Sequence, residues 1–131
     1  MIVMYVNMQE MLTVLWKTAI LIAIVLWMIA YLLVGFSNPG IVTKKYERDD
    51  RNEEMNRPNL VVCLECSSIK ERGVRHCSDC GCCVYGHDHH CPWIGKCVGE
   101  SNKGRFYFFL IMMFGTFILF FIGSIYSQIS S

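Results

Sequence analysis

Two long runs of residues without a single charge constrain this chain more than any other feature of its sequence. The first extends from Thr18 to Phe36 and has nineteen residues, and the second extends from Phe106 to Tyr126 and has twenty-one. Because a helix rises about 1.5 Å per residue, each run nearly spans the roughly 30 Å hydrocarbon core of a bilayer. We therefore predict two transmembrane helices, over 18–36 and 106–126.

A buried core helix, or a secretory signal for the first run, would also be apolar and uncharged. A chain of 131 residues, however, has little soluble mass in which to bury two helices of this length. The first run also lacks a basic leader and a small-residue cleavage site. Membrane spans are therefore the favoured interpretation of both runs.

The charged residues are concentrated between the two runs. Eleven of the twelve Lys and Arg residues, and ten of the eleven Asp and Glu residues, lie between Ile41 and Arg105. The positive-inside rule places such a basic loop in the cytoplasm and both termini on the opposite side. We predict a multi-pass integral membrane protein, with neither an endomembrane nor a plasma-membrane location favoured. The net charge of +1 gives no reason to predict a nucleic-acid partner.

The same patterns divide the rest of the chain into segments. Residues 1–17 are apolar but interrupted by charges, which predicts an interfacial lead-in or the remnant of an earlier span. Residues 37–59 contain turn residues and then many charges, and are predicted to be a turn followed by a polar cytoplasmic linker. A cysteine-rich domain is predicted over 60–105, and a short tail over 127–131.

All eight cysteines and all four histidines of the chain lie in that cysteine-rich segment. Pairs spaced C-x-x-C, such as Cys63/Cys66 and Cys77/Cys80, bring two thiolates onto one tetrahedral zinc ion. A disulfide framework is the alternative, but disulfides belong to oxidising compartments and the segment is predicted to be cytoplasmic. The interleaved histidines also favour metal.

The fold class follows from the scarcity of large apolar residues in this segment. Such a segment cannot fold on a hydrophobic core alone, whereas structural zinc contributes on the order of 10 kcal/mol per site. We predict an α-helical integral membrane protein with a small, zinc-stapled cytoplasmic domain built from β-hairpins and loops.

The number of potential ligands also points to a reactive cysteine. Two closed Cys3His sites would use six cysteines and two histidines, which leaves two of each. Cys91 is a candidate nucleophile because Pro92 favours an extended backbone, in which His89 shares its face and His90 points away towards a metal. His89 would accept the thiol proton or stabilise the thiolate. Asp88 would orient the imidazole, provided the chain bends locally.

The stretch from Cys63 to Phe106 resembles the cysteine-rich domain of the DHHC family of protein S-acyltransferases, the palmitoyltransferases. The family pattern runs C-x-x-C, nine residues, H-C-x-x-C-x-x-C, four residues, D-H-H-C, five residues, C, and every spacing is met. Pro92-Trp93, Cys97-Val98-Gly99 and Asn102 also match the family.

The resemblance implies an assignment of zinc ligands and a reaction. It implies that Cys91 takes an acyl group from palmitoyl-CoA or another long-chain acyl-CoA. The acyl group would then pass to cysteine thiols of cytoplasm-facing substrate proteins near the membrane. Lys96, Lys103 and Arg105 lie near the second span and are candidates for contact with CoA phosphates or lipid headgroups, of which headgroups are favoured. The residues that bind the CoA moiety are therefore left unassigned. The two implied structural zinc ions have the ligand sets Cys63, Cys66, His76 and Cys83, and Cys77, Cys80, His90 and Cys97.

The chain also departs from the family. Family members usually have four spans or more, whereas two are predicted here, so we expect a fragment or a chain that needs a completing subunit. The alternative function is a catalytically inactive, zinc-stapled membrane module that binds protein partners. A zinc-ribbon or RING-like adaptor would use every cysteine as a ligand and leave no free Cys91. Cys82 and His87 have no predicted role.

Overall fold

The computed structural model describes residues 2–46 and 61–130, with side chains for 10–46 and 61–129. Helix α1 spans Ile2–Gly35 and helix α2 spans Lys103–Ser130, and two β-hairpins lie between them in the chain. Both helices are long and apolar enough to cross a membrane, over Glu10–Gly35 and Lys103–Ile129. Two such helices flanking a small cysteine- and histidine-rich hairpin domain confirm the predicted fold class.

Both helices are longer than the predicted spans. Helix α1 begins at Ile2, so the described residues before Thr18 continue the helix of the first span. Helix α2 begins three residues before Phe106 and continues through the predicted tail to Ser130. Glu10 and Lys17 do not interrupt α1, because Glu and Lys are good helix formers and disturb only the apolar pattern that defined the span.

The chain divides into two compact units. The helical unit comprises 1–32 and 107–131, and the cysteine-rich unit comprises 33–106. Within the helical unit, the Thr116 hydroxyl donates a hydrogen bond to the Ala23 carbonyl oxygen across 3.4 Å. The Trp16 indole packs onto Gly123, where any Cβ atom would overlap the ring. Small and hydroxyl side chains thus let the two helices approach each other.

The cysteine-rich unit contains two short antiparallel hairpins. Strand β1, Val74–Cys77, pairs with β2, Cys82–Tyr85, and strand β3, His89–Cys91, pairs with β4, Lys96–Val98. The turn of each hairpin ends on a glycine in the left-handed region, with φ of 62° at Gly81 and 63° at Gly95. Isolated hairpins of three or four residues a strand are not stable in water, so this unit needs further support.

The segment that follows α1 belongs to the cysteine-rich unit and is not a free linker. Ile41 forms a β-bridge with Val84, and the Val42 amide donates to the Cys83 carbonyl oxygen across 2.9 Å. The Tyr46 amide donates to Ser67 across 2.8 Å. The prediction of a linker is therefore wrong for 41–46. This pairing uses backbone groups, so it could not be recognised from the pattern of side chains in the sequence. The remainder, 47–59, and residue 60 lie outside the described residues.

The core of the cysteine-rich unit is small, and many of its buried side chains are cysteines. Val84 and Val98 are fully buried, and Val84 packs with the buried Cys77 and Cys97. Gly99 brings the chain after β4 against β2, because a Cβ atom there would overlap the Pro39 carbonyl oxygen and the Val84 side chain. This limited apolar burial agrees with the prediction that the unit cannot fold on a hydrophobic core alone.

Candidate metal centres and nucleophile

The first candidate metal centre joins a tight turn to the β1–β2 hairpin. In this turn, the Cys63 amide donates to the Ser68 carbonyl oxygen and the Ser67 amide donates to the Cys63 carbonyl oxygen, both across 2.9 Å. The turn brings the sulfurs of Cys63 and Cys66 together. His76 and Cys83 lie directly opposite each other in the register of the hairpin. The Cys63 sulfur lies 3.5 Å from Nδ1 of His76, and the sulfurs of Cys66 and Cys83 are 3.6 Å apart.

The second candidate centre has the same construction one hairpin further along the chain. Cys77 ends β1 and Cys80 lies in the β1–β2 turn, so this turn supplies the second C-x-x-C pair. His90 and Cys97 face each other across the β3–β4 hairpin. Nδ1 of His90 lies 3.3 Å from the Cys80 sulfur and 3.7 Å from the Cys77 sulfur, and the sulfurs of Cys80 and Cys97 are 3.3 Å apart.

Both centres fit a tetrahedral zinc ion. In each, one sulfur or nitrogen atom from every residue lies within 4.8 Å of all the others. Zinc–sulfur bonds of about 2.3 Å in a tetrahedron place the ligand atoms roughly 3.8 Å apart, close to the separations found here. Three thiolates and one imidazole are also a typical structural zinc set. The two clusters that can hold zinc contain the same residues as the sets implied by the family resemblance.

A constant step of fourteen residues relates the two centres. Every ligand of the second follows its counterpart in the first by fourteen positions, from 63 to 77, 66 to 80, 76 to 90 and 83 to 97. The same step leads from Cys77 to Cys91. The remaining positions of such a third set hold Ile94, Gly104 and Ile111, which cannot bind metal. The repeat therefore explains why Cys91 has a ligand's position but no metal partners.

Hydrogen bonds favour the thiolate form at one cysteine of each centre. The Ser68 hydroxyl, 3.3 Å from the Cys66 sulfur, is the main cause that lowers the pKa of Cys66 to about 6. Burial raises the pKa of Cys77, but hydrogen bonds from the Cys80 amide and from neighbouring side chains outweigh it and lower this pKa to about 6.

The most buried thiols of each centre show the opposite shift. Burial, and then the neighbouring sulfur of Cys66, raises the pKa of Cys83 to about 12. Burial and the proximity of Cys77 likewise raise the pKa of Cys97. Several thiolates cannot share such a small volume without a cation, and a bound divalent ion removes this repulsion and deprotonates coordinating thiols. The electrostatics of the two ligand sets therefore fit a metal ion.

Two cysteines lie outside both centres. Cys91 ends β3 and is 5% exposed. Cys82 lies opposite Cys77 in the first hairpin and packs against the small core, and burial raises its pKa. All eight cysteines are described and none forms a disulfide. Cys82 thus has a packing role, and Cys91 remains as the candidate nucleophile.

The predicted partners of Cys91 lie at the start of β3. The Asp88 carboxylate is 3.9 Å from Nδ1 of His89, which is an ion-pair distance but too long for a hydrogen bond. The strand places His89 and Cys91 at alternate positions, and Nδ1 of His90, which lies between them, is 3.3 Å from the Cys80 sulfur. The described part of the chain contains no hydrogen bond between His89 and the Cys91 sulfur.

The first turn of α2 supplies two contacts that the sequence did not predict. The Lys103 ammonium lies 3.5 Å from the same Asp88 carboxylate oxygen. The Phe106 ring meets the His89 ring edge-on, with centroids 5.3 Å apart. Their spacing of three residues puts both side chains on one face of a helix, which is the only sequence signal that could have indicated this pair.

A buried asparagine connects the second centre to α2. Asn102 is fully buried, its side-chain oxygen accepts the Gly99 amide across 2.8 Å, and its side-chain nitrogen donates to the Cys97 carbonyl oxygen across 3.1 Å. The sequence marked Asn102 only as part of a motif. Only the structure shows that Asn102 links Cys97 of the second centre to the start of α2 at Lys103.

The comparisons with known proteins agree with this geometry. The DHHC palmitoyltransferase family profile matches residues 56–131, which is more than half of the chain and includes both centres and Cys91. The chain therefore belongs to the DHHC palmitoyltransferase family, and the resemblance inferred from the motif spacing is confirmed.

Individual relatives are similar over part of their length. The chain is 32% identical over 95 residues to palmitoyltransferase ZDHHC8 of Drosophila melanogaster, covering 63% of this chain and 10% of that protein. It is 32% identical over 117 residues to the probable protein S-acyltransferase 14 of Arabidopsis thaliana, covering 75% and 36%. It is 41% identical over 76 residues to palmitoyltransferase ZDHHC3 of Homo sapiens, covering 56% and 25%. The matches thus span no more than 36% of the length of these three relatives.

Proposed function

We propose that this chain is a protein S-palmitoyltransferase, or the catalytic part of one, with Cys91 as the acyl carrier. One observation carries the proposal. Cys91 has the position of a metal ligand in the fourteen-residue step but lies outside both ligand sets, immediately after His89 and His90. The Cys91 thiol is therefore available to react, whereas six of the neighbouring cysteines would bind metal.

The proposed reaction is two successive thioester exchanges. The Cys91 thiolate attacks the carbonyl carbon of palmitoyl-CoA or another long-chain acyl-CoA, the bond to the CoA sulfur breaks, and CoA leaves as the thiol after taking up a proton. A substrate-protein thiolate then attacks the acyl-Cys91 thioester and regenerates Cys91. Both steps replace one thioester by another, so the transfer is close to energy-neutral.

His89 and Asp88 assist these steps in the proposed mechanism. His89 takes the proton from the attacking thiol and returns it to the departing one, and Asp88 stabilises the imidazolium and restrains the orientation of the ring. The 3.9 Å separation of Asp88 and His89 must shorten for a hydrogen bond when substrate binds, as catalytic hydrogen bonds often do.

The two metal centres serve structure in this proposal. Cys63, Cys66, His76 and Cys83 would hold one zinc ion, and Cys77, Cys80, His90 and Cys97 the other. Both are four-coordinate sets with no open position for substrate, so the ions supply folding energy rather than reaction chemistry. His90, as a ligand in the strand that carries Cys91, would make the position of the nucleophile depend on the second ion.

The membrane arrangement supports the same reaction. Two spans and a basic intervening segment favour a multi-pass protein with the cysteine-rich unit in the cytoplasm, where acyl-CoA and reduced thiols occur. The helical unit contains an apolar cavity of about 260 Å³ between α1 and α2, and burying acyl methylenes there is favourable by about 0.8 kcal/mol each. Substrates are proteins with cysteines close to the membrane surface.

Labelling with a palmitoyl-CoA that carries an alkyne tests the proposal. Zinc-loaded full chain in detergent or nanodiscs should acquire a label that hydroxylamine removes, and Cys91→Ser should lose it by at least about 100-fold because the nucleophile is gone. Cys82→Ser is the matched control, since it also removes a cysteine outside both metal centres, and it should label like the wild type.

The alternative is a zinc-stapled membrane module that binds protein partners without catalysis. The burial of Cys91 and the absence of a hydrogen bond to His89 are the observations that favour it. Folded protein with about two zinc ions that takes no label, or label retained in full by Cys91→Ser, would exclude the transferase and leave this alternative.

A further inference from the structure

The Asp88 carboxylate lies close to two side chains, those of Lys103 and His89. Its Oδ2 atom lies 3.5 Å from the Lys103 ammonium and 3.9 Å from Nδ1 of His89, so the lysine is the closer of the two. Both side chains of the lysine pair are partly exposed, at 42% for Lys103 and 43% for Asp88. An exposed aspartate next to a reactive histidine is free to rotate unless a second group restrains it.

Lys103 is well placed to restrain it because its backbone is fixed on both sides. It is the first residue of α2, and its amide donates to the Gly99 carbonyl oxygen across 3.0 Å. The preceding residue, Asn102, is fully buried and bonded to Gly99 and Cys97. The ammonium group therefore projects from a fixed backbone.

The same helix turn restrains the other member of the pair. Phe106, three residues after Lys103, meets the His89 ring edge-on. Lys103 thus contacts the carboxylate and Phe106 contacts the imidazole, both from one face of α2. The first turn of α2 therefore contacts both Asp88 and His89.

We propose that Lys103 is a positioning residue, whose ion pair with Asp88 holds the carboxylate beside His89 and so maintains the reactivity of Cys91. The inference rests on the proposed function, in which Asp88 acts on His89 and His89 acts on the Cys91 thiol. Lys103 touches neither the thiol nor the acyl donor in this role. It acts only through Asp88.

The first test measures thiol reactivity and does not require acyl transfer. Zinc-loaded full chain is treated with iodoacetamide at low ionic strength, and alkylation of Cys91 is followed by mass spectrometry with Cys82 as the internal reference. Lys103→Met keeps the side-chain length but removes the charge, and should slow Cys91 alkylation about two- to fivefold, the size expected for an exposed ion pair. Lys103→Arg should retain most of the rate.

Two controls separate positioning from general effects of charge and folding. Arg105→Met removes the same charge from the same helix turn, but Arg105 bonds the Ser101 carbonyl oxygen and not Asp88, so it should react like the wild type. In about 0.5 M salt, screening should bring the wild type down to the level of Lys103→Met. A merely structural role of Lys103 would not produce this salt dependence.

A double-mutant cycle, and separate measurement of the maximal rate and of KM, complete the test. Asp88→Asn should slow Cys91 alkylation, and adding Lys103→Met should cause no further loss. In the acylation assay, Lys103→Met should lower the maximal rate while leaving the KM for acyl-CoA unchanged. Equal alkylation of Cys91 in Lys103→Met and wild type, additive effects in the cycle, or a change in KM alone would each overturn the positioning role. Absence of acylation alongside the predicted alkylation pattern would count against the transferase only.

Discussion

At the scale of single residues, the adjacent cysteines Cys82 and Cys83 have different roles because they lie on opposite faces of the β1–β2 hairpin. They are adjacent on β2, so their side chains point to opposite faces of the hairpin. Cys83 faces His76 in the register and belongs to the first centre, whereas Cys82 faces away and packs against the cluster formed by Cys77, Val84 and Cys97. The C-x-x-C spacing from Cys80 to Cys83 already separated the two thiols in the sequence, and the strand alternation is the structural basis of that difference.

The pair therefore provides a matched test of the first metal centre. Cys83→Ser should release one of about two zinc ions and lower the melting temperature of the cysteine-rich unit, because a structural site loses most of its affinity when a thiolate ligand is removed. Cys82→Ser, one residue away, should retain both ions. Zinc content of the purified variants by elemental analysis gives the answer, and equal zinc in the two variants would contradict the ligand set.

At the scale of elements, each candidate centre combines one C-x-x-C turn with one cross-strand pair from a hairpin. The β1–β2 hairpin carries ligands for both centres, His76 and Cys83 for the first and Cys77 and Cys80 for the second. The two centres are therefore connected through one hairpin. The start of α2 joins this arrangement through Asn102, whose side chain bonds Gly99 and Cys97.

Removing that connection should cost more than its number of hydrogen bonds suggests. Asn102→Ala leaves the Gly99 amide and the Cys97 carbonyl oxygen without these partners in a buried site, and should lower the free energy of unfolding by about 1–3 kcal/mol. Chemical or thermal unfolding of the cysteine-rich unit, followed by zinc release, measures the change.

Asn38→Ala is the matched control for this prediction. Its side chain also accepts two backbone amides, from Gly40 and Ile41, but it is exposed, so water can replace it. Its substitution should cost at most about half as much as that of Asn102. Equal losses in the two variants would mean that burial of Asn102 is not what makes it important.

At the scale of the whole molecule, the chain combines a helical unit suited to lipid with a cysteine-rich unit suited to metal. The helical unit exposes large apolar side chains along both helices, which a bilayer would cover. The cysteine-rich unit has almost no apolar core and two sets of ligands instead. The helical unit is suited to a lipid environment, and the cysteine-rich unit is suited to water with bound metal. The basic residues between the spans should determine on which side of the membrane the cysteine-rich unit lies.

The predicted orientation can be tested with glycosylation acceptor sites. An acceptor sequence added on a spacer after Ser131 should be glycosylated in cells, because both termini are predicted to face the lumen or exterior. The same sequence inserted between residues 47 and 59 should remain unmodified, since that segment is predicted to be cytoplasmic. The reverse pattern would place the cysteine-rich unit outside the cytoplasm and contradict the proposed use of acyl-CoA there.

By itself, the sequence determined two runs long and apolar enough to span a membrane and the family, and it made Cys91 a candidate nucleophile outside two candidate ligand sets. These features depend on composition and on short spacings, which can be recognised directly along the sequence. Only the tertiary structure decided that 41–46 pair with the hairpins and that Lys103 and Phe106 reach Asp88 and His89. Those contacts join residues far apart in the chain, and backbone pairing and the direction of a helix face become visible only when the elements are folded together.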